Sequence, residues 1–265
     1  MGLDAYVQCN CLKEGKVKPP PFDLGLIEWI DGEFDLAEAA DDDVYHHYCT
    51  WKETACEHED FHFVYDRVYN ASGGMFFYGV LEQLGKEEFP VLSSVIGNGN
   101  TSPDMSHKAM VELEILENRI VELEGVFLMD TDAQEEYRKI LVGEDYWFYS
   151  HGREYYYRMS ERGFVVTDSE QKELFRSLSF SQEVMQERLA DHAVDGVRFR
   201  DLESGKVHES GYPISSFSWE SKAYYYPRAF HVAKRHLTRS DLYQTKVLKR
   251  LFEASIVTGN PIVWS

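Results

Sequence analysis

Leu3, Ala5, Val7 and Cys9 alternate with Asp4, Tyr6, Gln8 and Asn10. That period of two predicts a strand over residues 1–12. Residues 13–21 read as a loop closed by Pro19-Pro20-Pro21. A weak helical stretch is expected over 35–40, ending in Asp41-Asp42-Asp43, while 44–69, rich in His and aromatics, fits no single period. Asn70-Ala-Ser-Gly-Gly74 is a break, after which Phe76, Val80 and Leu84 share one face of a helix over 75–85. The strongest helical pattern follows the loop Gly97-Asn-Gly-Asn-Thr-Ser102. Ser102 can cap it, Pro103 suits its first turn and Asp104 suits its positive end. Met110, Leu113, Leu116, Ile120 and Leu123 then repeat at three- and four-residue spacing, with Gly125 as the expected stop and Glu112, Glu114, Glu117, Glu122 and Glu124 on a solvated face.

Beyond residue 130 the pattern changes. Residues 146–149, 154–159 and 164–167 are aromatic or β-branched runs separated by Ser150-His-Gly-Arg153 and Glu161-Arg-Gly163, which predicts hairpins. Residues 174–190 read as partly helical. Residues 197–202 and 206–209 flank Glu203-Ser-Gly205, another hairpin signal, and 217–226 and 230–234 suggest further strands. A last helix is expected over 240–257, with Thr238 and Asp241 at capping-box spacing and Gly259-Asn-Pro261 at its end. Ile262-Val-Trp264 reads as a final strand.

These elements predict a mixed α+β fold: an acidic, helix-containing N-terminal part with an N-terminal strand, and an antiparallel, strand-rich C-terminal part ending in a helix. The shift in composition places a boundary near 125–145. Residues 1–130 then form an acidic region with a Cys/His cluster and 131–265 a strand-rich region, as two domains or as one compact unit. A chain of 265 residues is long enough for a sizeable core in either arrangement.

The net charge of −19 is unevenly spread: residues 1–130 carry 26 acids and 8 bases, residues 131–265 carry 20 and 19. Between Asp23 and Asp66 fourteen acids face a single base, Lys52. Such a surface repels nucleic acid through its phosphates and favours encounter with a basic protein. No apolar run approaches the ~20 residues that span a bilayer. The N-terminal stretch has no basic region and is interrupted by Asp4, which argues against a secretory signal, and Tyr6 breaks the myristoylation pattern. A cytoplasmic location is expected, where thiols stay reduced and clustered Cys read as metal ligands or buried thiols before disulfides.

All four cysteines lie in the first 56 residues. Cys9-Asn10-Cys11 and Cys56-Glu57-His58 supply three sulfurs and one imidazole, the donor count of a closed tetrahedral zinc site. Short pairs let one backbone segment present two ligands. The spacing of one residue between paired ligands departs from the commoner two to four. Cys49 is a spare thiol, with His46, His47 and His62 near it in sequence. His58-Glu59-Asp60-Phe61-His62 matches the H-E-x-x-H pattern of zinc proteases, which requires a helix there and gives the alternative of a metal-dependent hydrolase using the 46–62 cluster. There is no G-x-S-x-G elbow and no P-loop. Tyr155-Tyr-Tyr157 and Tyr224-Tyr-Tyr226 fit sheet faces better than base-stacking platforms.

The opening Met1-Gly-Leu-Asp-Ala-Tyr-Val-Gln-Cys-Asn-Cys11, followed by Lys and a Pro-rich loop, resembles that of a group of bacterial proteins of similar length. Cys56-Glu-His58-Glu-Asp60, Phe89-Pro90 with the downstream Asn-Gly-Asn loop, and the tail Ala254-Ser-Ile-Val-Thr-Gly-Asn-Pro261 resemble theirs too, so the resemblance runs from end to end. It brings no established activity. It implies the Cys-x-Cys and Cys-x-His pairs as shared features and an association with immunity proteins of bacterial toxin systems. The expectation is therefore a non-enzymatic cytoplasmic binding protein with no catalytic residues. Structural zinc would be held by Cys9, Cys11, Cys56 and His58, and the partner would be basic, such as a toxin domain, with neither nucleic acid nor membrane as partner.

Overall fold

The structure is a computed structural model that describes residues 2–37, 41–149, 154–185, 187–188, 193–194, 196–218 and 221–265. It has the mixed α+β architecture expected, with antiparallel sheets and a C-terminal helix. Contacts divide the chain into two compact units: residues 1–121 with 238–265, and residues 122–237.

The first unit opens with β1 (Leu3–Gln8), followed by the hairpin β2 (Ile27–Ile30) and β3 (Glu33–Leu36). Asp35 and Leu36 are therefore in a strand and not in the helix expected over 35–40; positions 38–40 of that stretch lie outside the described residues. The helix starts later, as α1 (Asp42–Lys52). The Asp41 carboxylate caps it by accepting the Val44 N–H, and Asp42 and Asp43 sit at its positive end. The Asp run that looked like a helix end is a helix start. β4 (His62–Tyr69) pairs antiparallel with β1. Then come α2 (Ala71–Leu84), capped by Asn70, the short α3 (Pro90–Val95), β5 (Asn100–Thr101) and α4 (Pro103–Arg119), whose Ser102 side chain accepts the Met105 N–H as expected. A 3-10 turn follows α4 at Ile120–Glu122, and Gly125 is not its stop but a strand residue.

The second unit is built on β6 (Glu124–Asp130), β7 (Glu135–Leu141), β8 (Tyr146–Tyr149), β9 (Tyr155–Ser160), β10 (Gly163–Asp168), β11 (Glu173–Ser177) and β12 (Ser179–Val184). It continues with the short pair β13 (Glu187–Arg188) and β14 (Ala193–Val194), then β15 (Val197–Asp201), β16 (Val207–Ser210), β17 (Ser216–Ser218), β18 (Ala223–Tyr225) and β19 (Ala229–His236). A six-stranded sheet of order β16-β15-β12-β19-β6-β7 and a four-stranded sheet of order β11-β10-β9-β8 enclose a core of Phe164, Phe175, Phe180, Phe199 and Phe230. The helix expected within 174–190 is replaced by β11 and β12. Phe175, Ser177, Phe180 and Gln182 are buried at alternate positions, the period of a half-buried strand. Positions 186, 189 and 190 of that stretch lie outside the described residues.

The chain then re-enters the first unit. Thr238 and Asp241 form the expected capping box, and α5 (Tyr243–Thr258) packs against β4 and β1. Gly259, at φ 70°, ends it. β20 (Ile262–Trp264) pairs antiparallel with β1, giving a sheet of order β4-β1-β20-β5. The first and last strands of the chain are thus neighbours.

Candidate metal centre

β1 ends at Gln8, and the backbone turns at once: Glu14 N–H reaches Asn10 C=O at 2.9 Å and Lys16 N–H reaches Cys11 C=O at 2.8 Å. Cys9 and Cys11 therefore share a site through a turn and not through strand alternation, which stops one residue too early. The second pair lies between α1 and β4. Lys18 N–H to Ala55 C=O (2.8 Å) and Cys9 N–H to Phe61 C=O (2.7 Å) bring that segment alongside the first.

The four donor atoms of Cys9, Cys11, Cys56 and His58 all lie within 4.8 Å of one another. Cys9 Sγ is 3.9 Å from Cys56 Sγ, Cys11 Sγ is 3.4 Å from His58 Nδ1, and Cys56 Sγ is 4.0 Å from His58 Nδ1. A regular tetrahedron with Zn–S of about 2.3 Å and Zn–N of about 2.0–2.1 Å has S–S edges of about 3.8 Å and S–N edges of about 3.6 Å. These three distances fall within about half an ångström of those edges, and no donor pair is farther apart than 4.8 Å. His58 N–H also points at Cys56 Sγ, 3.4 Å away, a donor that would stabilise sulfur in its charged form.

Burial pushes the Cys9 thiol up to about 12 and raises that of Cys11. Thiolates are costly here without a cation, and a divalent ion would supply the missing charge. Around the donors stands a small apolar cluster of Leu36, Tyr48, Trp51, Ala55 and Phe61, with Phe22 and Val44 packed against it. Tyr48 O–H bonds to Phe34 C=O, and Trp51 Nε1 to Lys18 C=O at 2.9 Å.

Two residues that sequence reasoning passed over hold the Cys-x-Cys turn in place. Asn10 Nδ2 donates to Thr258 C=O at 2.7 Å. Asn260, 1% exposed, donates from Nδ2 to Gln8 C=O (2.8 Å) and Asn10 Oδ1 (2.9 Å), and its Oδ1 accepts Lys13 Nζ at 2.6 Å. The loop after α5 is thereby bolted to the turn. The only sequence signal was Gly259-Asn-Pro261, which reads as a helix stop.

The other candidates of the 46–62 stretch stand apart. Cys49 packs against the apolar cluster, His46 and His47 are exposed on α1, and His62 stacks on Tyr65 and lies tilted against Tyr6; none of them belongs to the four-donor group. The segment His58–His62 is not an α-helix: it holds a short irregular 3-10 turn at Glu59–Phe61 in which Asp60 (φ 51°) and Phe61 (φ 61°) are left-handed, and β4 begins at His62. The helical placement that H-E-x-x-H chemistry requires is absent, because two consecutive left-handed residues break the i, i+4 geometry. Comparison with protein-family models, curated proteins and solved structures gives no match to the chain. Among the described residues no helix is long and apolar enough to cross a membrane.

Proposed function

We propose that Cys9, Cys11, Cys56 and His58 hold one structural zinc ion in a non-enzymatic binding protein of the cytoplasm, whose acidic first unit recognises a basic protein partner. The observation that carries the metal reading is the fit of four soft donors, on two distant segments, to a tetrahedron of zinc dimensions. Three sulfurs and one imidazole fill four positions. A hydrolytic centre needs one position left for water, so the donor count favours a structural role over the metal-dependent hydrolase. The basic partner is supported by charge: residues 23–66 hold fourteen acids and one base. A toxin domain as that partner is supported by the end-to-end resemblance to proteins associated with toxin immunity.

The test has two arms. Purified protein should carry close to one equivalent of zinc, and Cys11→Ala should lose it with a fall in melting temperature of more than 5 °C, since metal-binding energy at such a site is folding energy. Unchanged melting in strong chelator would sink the metal reading. Co-expression with candidate basic toxins should rescue growth; failure of every basic toxin to bind the purified protein would sink the partner reading.

A further inference from the structure

β4 lies at the edge of its sheet and, among the described residues, pairs only with β1, with register irregularities at Phe63 and Val68. It is eight residues long and contains no proline. Among the described residues its outer N–H and C=O groups make no hydrogen bonds outside the β1 ladder. Long free edges of this kind invite another strand, and proteins usually blunt them with Lys, Pro or a cover.

Phe63 (40% exposed), Tyr65 (56%) and Arg67 alternate outward along β4. Arg67 is neutralised by Asp4 at 2.6 Å. On the other side of the strand Asp66 pairs with Arg250 of α5. Lys52 as well as Asp60, Glu33 and Glu59 act on the charge of the His62 ring, so three carboxylates and one ammonium lie about it, and that ring stacks on Tyr65 at 5.5 Å. The edge is thus bordered by carboxylates and by exposed aromatic faces that attract cations. Acids in this place oppose pairing with a second copy of the chain and favour a basic strand. The site also touches the metal centre, because the His58 ring packs on Phe63 with centroids 5.5 Å apart.

We propose that the free edge of β4 takes up an extended basic segment of the partner protein as an added strand, with Phe63 and Tyr65 as its anchors. Main-chain hydrogen bonds would supply affinity and alternate side chains specificity. The inference rests on the reading of a basic partner given above and adds where and how it docks.

The test uses the full chain and a fluorescein-labelled nonapeptide of alternating lysine and valine. Fluorescence anisotropy should show saturable binding that weakens with salt, and hydrogen exchange should slow across residues 62–69. The double variant Phe63→Lys/Tyr65→Lys, with unchanged circular dichroism, should bind at least tenfold more weakly. So should a peptide N-methylated at alternate residues, while Val111→Lys, on α4, should bind as the native chain does. Binding with protection elsewhere and no effect of the double variant would overturn the docking site and leave the basic partner standing. Absence of any peptide binding would overturn the docking site, while the basic partner stands or falls with the toxin-binding test above. Self-association of the chain with protection of 62–69 would overturn the proposal in favour of a second copy as occupant.

Discussion

At the scale of single residues, the centre depends on side chains that are not ligands. Asn260 spends its amide on Gln8, Asn10 and Lys13, so the turn that presents Cys9 and Cys11 is held by a residue about 250 positions away. Removing it leaves the buried carbonyl of Gln8 without that donor, which costs about 1–3 kcal/mol. Asn260→Ala should therefore lower stability by about 2 kcal/mol and weaken metal retention in competition with a colorimetric chelator; a variant that keeps both would show the bolt to be dispensable. The four clustered donors were legible as two soft pairs, and the fold brings them together. Asn260 was not, because nothing in its neighbourhood hints at a partner in the first ten residues. His58 to His62 shows the reverse case: a motif readable in the letters is cancelled by backbone geometry, since Asp60 and Phe61 both adopt positive φ.

At the scale of elements, helices were legible where an apolar stripe met a capping residue, as at α4 and α5. They were misread where charge was taken as a proxy for exposure. Glu112 was assigned to a solvated face, yet it is 8% exposed and accepts the N–H groups of Val91 (3.0 and 3.1 Å) and Leu92 (2.8 Å). It caps α3, which has no capping side chain of its own. Glu112→Ala should cost about 1.5–3 kcal/mol, the range for hydrogen bonds to a charged group, measured by urea unfolding; a loss under about 0.5 kcal/mol, as for an ordinary surface change, would contradict the cap.

In the second unit, Asp201 closes the turn after β15. The Ser177 hydroxyl, then the Ser204 hydroxyl and N–H, hold its carboxyl at about 2, below the usual 3.8. A folded-state value below the unfolded one stabilises the fold above the unfolded value, and that contribution is lost as pH falls through the folded value. The difference in melting temperature between the native chain and Asp201→Asn should thus be full at pH 5 and shrink between about pH 4 and pH 2. A pH-independent difference would count against the ionised contacts.

At the scale of the whole molecule, chain order disguised the grouping of charge. Split at residue 130, the halves carry −18 and −1. Grouped by compact unit, the first unit holds 25 acids and 12 bases, net −13, and the second 21 and 15, net −6. Three of the five charges come from Glu122, Glu124 and Asp130, which belong to the second unit, and two from the C-terminal segment, which brings Arg239, Lys246, Lys249 and Arg250 together with Asp241 and Glu253 into the acidic unit and pairs Arg250 with Asp66. Local periodicity could predict both β1 and β20 but not that they pair, because register between distant strands has no local signature. The acidic segment from Asp23 to Asp60 still has few internal counter-charges, and its apolar cluster is small. A metal clip joining the Cys9–Cys11 turn ahead of that segment to Cys56 and His58 near its far end would close that cluster where side-chain packing alone is thin.

The central claim is that a single ion sits among three sulfurs and one nitrogen, and X-ray absorption at the zinc edge on the purified full chain tests it most directly. The account predicts about one zinc per chain, with three sulfur neighbours near 2.3 Å and one nitrogen near 2.0–2.1 Å. A coordination shell dominated by oxygen, or no stoichiometric metal after expression in zinc-supplemented medium, would contradict it.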